Sequence, residues 1–353
     1  VADMQSLTVD TAGTTAFNGL VGVTAALSAL TTDTPGFATF NTPAIIANAV
    51  DINDPLTLAQ NVTVTAMGSA TFDNTVDGDG TNPPAEDLIV VSPMTSFNGA
   101  VGGIDPLGTL MTDNHAAEVM TVIDTGVVNA AIVQFDDPVD IDSAAGENND
   151  LSVISPSTTF GDSAGNDDIG SNDALGSLTT DNQSADDTTT INSANVTTTA
   201  ASGNTGHQTY GDAVTIGNRG GLTDTTTLTG VNVLFNSTVD ASAAGGQNLV
   251  VDASGLSVFG DGTGHDAVGG EFALGSLRTD SGAAIGSTVI NSSSVTTATD
   301  AANSGDQFYN DAVVVGSNDT GGALTTLNGV NVTFDSTLDA AMAGVESLTV
   351  NSS

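Results

Sequence analysis

Short runs in which apolar and polar residues alternate dominate this chain. "DAVTIG" (212–217), "GVNVLFNSTVD" (230–240) and "TTTINSANVTTT" (188–199) alternate Val, Ile, Leu, Phe or Thr with polar neighbours for three to six residues, then give way to Gly, Asn or Asp. Alternation with period two predicts strands that bury one face, and the punctuating residues are turn formers. No long stretch of period 3.6 competes, so the expected class is all-β.

The pattern recurs on a larger scale. "MQSLTVD" (4–10) returns as "DLIVVSPMTSF" (87–97), "DLSVISPSTTF" (150–160), "NLVVDASGLSVF" (248–259) and "SLTVNSS" (347–353). The leading leucines are Leu7, Leu88, Leu151, Leu249 and Leu348, spaced by 81, 63, 98 and 99 residues. One continuous array over 1–353 is therefore expected, with units 7–87, 88–150, 151–248 and 249–347 and a fifth beginning at 348–353. From Phe160 onward the last two complete units align without a gap, about half of their positions identical. A globular domain cannot lose a third of itself and stay folded, whereas a solenoid can drop whole coils. The lengths 63, 81 and 99 read as three, four and five coils of about 20 residues, hence a right-handed parallel β-helix. Tandem immunoglobulin-like β-sandwiches are the alternative. Stacked coils align equivalent side chains, so the phased sets Phe17, Phe97, Phe160, Phe259 and Phe72, Phe135, Phe235, Phe334 are expected to fill the interior.

The run "LGSLTTD … TTTINSANVTTT … QTYGDAVTIG … GVNVLFNSTVD … NLVVDASG" (175–255) resembles the repeats of very large bacterial surface and secreted proteins, similar to filamentous-haemagglutinin-type adhesins. The resemblance covers essentially the whole chain. It implies an extracellular, cell-surface β-helical rod used as a fibre, filament, coat or adhesin. Because both termini carry the same repeat phase, head-to-tail stacking through the strand at 347–350 is expected, with lateral contact between rods as a second mode of self-association. The runner-up is an adhesin stalk or glycan-binding module, for which exposed aromatics such as Tyr210 and Tyr309 would be the mark.

Charge narrows the partners. There are 42 acidic residues against two basic ones, Arg219 and Arg278, for a formal net charge of −40. That excludes nucleic acid, whose phosphates are held by Lys and Arg, and disfavours anionic lipid. Self-repulsion of this size calls for salt or bound divalent cations. Cysteine is absent, which removes disulfides, thiolate catalysis and zinc–sulfur sites. The most apolar stretch, "GLVGVTAALSAL" (19–30), is too short and too interrupted to cross a bilayer, so no membrane insertion is expected.

Candidate chemistry rests on aspartates. "LTTD", "LMTD", "LTTD" and "LRTD" end on Asp33, Asp113, Asp181 and Asp280, one per unit; a second set is Asp77, Asp140, Asp240 and Asp339. Aspartate after a strand commonly caps a turn. Carboxylates repeating on one face without a basic partner are also natural Ca2+ ligands. "FGDSAGNDDIG" (160–170) and "FGDGTGHDAVG" (259–269) approach the glycine- and aspartate-rich calcium nonapeptide, nominating Asp162, Asp167, Asp261 and Asp266. Catalysis is not expected: His115, His207 and His265 share no repeat phase, and so many acids make carboxylate pairs uninformative.

Overall fold

The structure is a computed structural model that describes residues 5–81, 85–113, 120–140, 149–162, 167–181, 187–201, 203–220, 224–264, 266–280, 286–300, 302–317 and 324–352. Among the described residues the chain is all strand and turn, with no helix. The strands pair in parallel, each with the strand about one coil before and one coil after it, an arrangement consistent with a parallel β-helix or solenoid. Among the described residues every strand-to-strand pairing is parallel and the one antiparallel contact is the isolated Thr299–Ser304 bridge, unlike the antiparallel sheets that stacked sandwiches would require.

Three ladders of inward-facing residues organise the stack. The first face runs Leu7, Leu30, Val50, Ala70, Thr95, Thr121, Val139, Ile169, Val196, Leu228, Val251, Thr279, Tyr309 and Phe334. The second passes through Phe17, Phe40 and Leu58, then Val76, Val101, Val128, Val153, Thr180, Tyr210, Phe235, Phe259, Ile290, Val315 and Ala340. The third passes through Val21, Ile45, Val64, Val90, Thr112, Phe135, Phe160, Ile191, Ile216 and Ala241, then Val268, Val295, Leu327 and Val350. Among the described residues each face has fourteen rungs, and the chain visits them in the order first, second, third.

Coil length corrects the expectation of about 20 residues. Steps range from 18 (Ala38 to Leu56) to 32 (Ser294 to Thr326), and thirteen steps carry the first face from Leu7 to Phe334, a mean of about 25. The units are correspondingly different from three, four and five coils. Leu7 stands on the first face, Leu88 on the third, Leu151 on the second, Leu249 on the first and Leu348 on the third. Counting strands between them gives eleven, eight, eleven and eleven. The 63-residue unit lacks one whole coil, while the 81- and 99-residue units have equal numbers of strands and differ in the chain between strands. Every unit is one strand short of a whole number of coils, so each begins one face back from its predecessor.

Interior packing explains the phased phenylalanines. Phe72 stacks on Phe97 at 5.1 Å between ring centroids, Phe135 on Phe160 at 5.8 Å, and Phe235 on Phe259 at 5.4 Å. Each pair joins the end of one unit to the start of the next, and offset stacks of this kind add about 0.5–1.5 kcal/mol beyond area burial. The two tyrosines belong to the same interior: Tyr210 stacks on Phe235 and Tyr309 on Phe334, and both tyrosines are fully buried. Their hydroxyls donate to Gln208 Oε1 and Gln307 Oε1 at 2.9 and 3.0 Å. Gln208 Nε2 donates in turn to the carbonyls of Val196 and Thr229, and Gln307 Nε2 to those of Val295 and Asn328. A buried amide thus cross-links faces that hydrophobic contact alone would leave free to slide.

Some corners admit only glycine. Gly102 and Gly269 have φ of 65° and 66°, and a Cβ there would lie 2.0 Å from Asn129 O and 2.1 Å from Thr296 O of the next coil. Gly269→Ala is expected to cost more than about 1 kcal/mol through strain and collision, whereas Gly19→Ala, with nothing within 4 Å, is expected to be neutral; chemical denaturation of both checks this. Deleting 291–315, which joins Ile290 to the residue after its ladder partner Val315, is expected to leave a folded, shorter stack. Deleting only 291–310 shifts the register and is expected to abolish the cooperative transition seen by circular dichroism.

Candidate functional site

The aspartates that close "LTTD", "LMTD" and "LRTD" each follow an inward threonine. Thr32, Thr112, Thr180 and Thr279 are fully buried; Thr32 lies between Val9 and Ile52 on its ladder, and the other three each lie between a valine and an aromatic ring. One coil later a second aspartate arrives at the same corner: Asp54 in "INDPL", Asp137 in "FDDPV", Asp212 in "YGDAV" and Asp311 in "YNDAV", none more than 6% exposed. Sequence reasoning missed this set, although the recurring D-[PA]-[LV] after a ladder residue was its signal.

Hydrogen bonds tie the two coils together. Thr32 Oγ1 accepts from the amides of Asn53 and Asp54 at 3.2 and 3.4 Å, and Asn53 Nδ2 donates to Thr32 O at 2.7 Å. In the third unit Thr189 Oγ1 lies 2.9 Å from Thr180 Oγ1 and 2.8 Å from Asp212 Oδ2. In the fourth, Thr279 and Thr288 donate to Asp311 at 2.8 and 2.9 Å, while Asn310 Nδ2 donates to Asp280 O at 2.6 Å. The second unit keeps the hydroxyl pair, Thr121 Oγ1 at 3.0 Å from Thr112 Oγ1.

These corners do not share one face, contrary to the expectation from the repeat. Asp33 and Asp280 lie on the edge between first and second faces, Asp113 on that between third and first, and Asp181 on that between second and third. The one-face offset of successive units is the cause. Only the first and fourth units coincide.

The nonapeptide-like loops are also separated, on the third–first and second–third edges. The amide of Asp162 donates to Asp167 Oδ2 at 3.1 Å, and that of Asp261 to Asp266 Oδ2 at 3.2 Å. Asp261 Oδ1 accepts from the amide and hydroxyl of Thr263 at 2.7 and 2.8 Å. The first role of these carboxylates is thus to close their own loop. Two of the second aspartate set instead bond to the following coil: Asp77 accepts from the amide of Ile104 at 2.8 Å, and Asp240 from those of Glu271 and Phe272 at 2.9 and 3.1 Å. His115 and His265 lie outside the described residues. His207 Nε2 lies 2.9 Å from Asn232 Nδ2.

Burial without cations shifts several carboxyls upward. Asp51 is raised by burial and by the charge of Asp73; Asp266 is raised by burial, against the hydrogen bond from the Asp261 amide. A carboxyl whose folded pKa exceeds its unfolded value stabilises the fold fully below the unfolded value, and that contribution is lost as pH rises through the folded one. Asp51→Asn is therefore expected to melt above the unaltered protein at neutral pH, with the gap closing towards pH 4; a variant whose advantage is independent of pH would contradict this origin.

Comparison with protein-family models, with curated proteins and with solved structures finds no match to this chain.

Proposed function

We propose that this chain is a segment of an acidic structural rod outside the cell, a right-handed parallel β-helix used as fibre, filament or coat material, like the filamentous-haemagglutinin-type surface proteins it resembles. The observation that carries the reading is the uninterrupted interior. Among the described residues fourteen rungs follow one another on every face, and stacked aromatic pairs bridge the unit boundaries where a modular protein would have linkers. Load applied along such a stack is shared by the whole backbone ladder, since each strand is bonded to the coils on both sides.

The exterior fits a material that is soluble yet able to associate. Forty-two acids keep rods apart at low salt, and added salt screens that repulsion within roughly 10 Å at 0.1 M. On the second face the outward ladder Leu234, Val258, Val289 and Val314 is uncharged and half-buried over four consecutive rungs, until Asp339 ends it. That stripe is a surface for lateral contact. Along the axis, the inward residues Leu7, Leu338 and Val350 are exposed in the outermost coils, and further coils from the same chain or a stacked second copy would cover them. The glycan-binding alternative loses its nominated aromatics, because Tyr210 and Tyr309 are interior.

Electron microscopy of the native material tests the reading. Unbranched rods with an axial rise of about 4.8 Å per coil are expected, gathering side by side as salt is raised. Compact isolated particles at every salt concentration would overturn it.

A further inference from the structure

The first and fourth units share more than the edge on which their threonine–aspartate corners lie. In each, three successive coils deliver an aspartate to that edge. Asp10 pairs in register with Asp33, and Asp54 follows one coil later; Asp252 stands beside Asp280, since Val251 pairs with Thr279, and Asp311 follows. The second and third units have Val91 and Ile154 at the first of these positions.

An independent observation singles out the buried members. Asp54 is 1% exposed, and both its carboxylate oxygens are buried without a hydrogen-bond partner. Asp280 is 4% exposed; its Oδ2 accepts from the Gly286 amide at 2.9 Å, but its Oδ1 is buried and unpartnered. Beside one glycine in each corner, the three nearest atoms are acceptors. A Cβ on Gly36 would lie 2.5 Å from Thr11 O, 2.9 Å from Asp54 Oδ1 and 3.1 Å from Gly13 O. A Cβ on Gly286 would lie 2.4 Å from Ala253 O, 3.0 Å from Asp280 Oδ2 and 3.0 Å from Gly255 O. Two carbonyls separated by one residue and one buried carboxylate thus converge on a glycine in each unit.

Neither arginine relieves these charges. Arg219 donates to the carbonyls of Ser193 and Thr225, and the Arg278 guanidinium lies over the Phe308 ring. A buried carboxylate facing other acceptors is costly unless a proton or a cation joins it. We propose that the Asp54 corner and the Asp280 corner are two equivalent calcium sites, each built from carboxylates and backbone carbonyls of consecutive coils. An all-oxygen set that mixes carboxylates with carbonyls suits a hard cation of flexible coordination. Among the described residues no three acidic or histidine side chains form a metal cluster, so carbonyls and water complete the shell. The ion ties three coils where no side-chain cation does. The inference stands apart from the fibre reading, because the sites lie within one chain.

Calcium titration of the chelator-stripped full chain by calorimetry, at high salt to suppress diffuse counterion binding, tests it. Saturable binding with a stoichiometry of two is expected, accompanied by a rise in melting temperature. Asp54→Asn and Asp280→Asn should each remove one site, and the double variant both, while Asp335→Asn on the exterior leaves two. Circular dichroism of the chelated variants establishes that they are folded, and their melting temperatures should no longer respond to calcium at the altered corner. Absence of saturable binding, or an Asp54→Asn protein that still binds two ions, would overturn the proposal.

Discussion

Parallel backbone pairing between consecutive coils is the constraint on which everything else depends. It fixes strand spacing near 4.8 Å and places each inward side chain on its counterpart one coil away. An interior built this way needs residues that stack on their own kind. Val, Leu, Ile and Phe occupy most rungs, and the aromatic pairs at 5.1–5.8 Å are close to the spacing that the backbone imposes. The same constraint makes polar rungs costly, because an inward hydroxyl, amide or carboxylate has only neighbouring coils as partners. The threonine–aspartate corners and the Gln208 and Gln307 cross-links are the solutions, and each joins groups about one coil apart.

Much of this could be read from residues alone. Alternation in "DAVTIG" and "GVNVLFNSTVD" located strands, and the phase of Phe72 or Phe160 located the interior, because both signals follow directly from pairing and burial. Coil length was not legible. The unit lengths 63, 81 and 99 differ by 18 each time, but one of those differences is a coil and the other is extra chain between strands, and nothing in composition distinguishes the two. Tyr210 and Tyr309 were ambiguous for a similar reason: a 99-residue spacing says that two residues are equivalent without saying which way they point.

The corner aspartates show where sequence repetition misleads. Asp33, Asp113, Asp181 and Asp280 are equivalent in sequence, and equivalence suggested a single row. The repeat and the coil have different periods, eleven or eight strands against three, and only register reveals the mismatch. What each carboxylate does is then decided locally. Asp77 and Asp240 receive amide donors from the following coil, whereas Asp54 receives none.

The offset of one face per unit has a mechanical consequence. Had each unit been a whole number of coils, equivalent corners would all lie along the same edge, and a stack of such units would bend preferentially along one direction. Stepping back one face at a time distributes equivalent corners around the circumference, so that three successive units place one on each edge. A long array of such units would resist flexure nearly equally in all directions, while any feature present once per unit would wind around it like the thread of a screw.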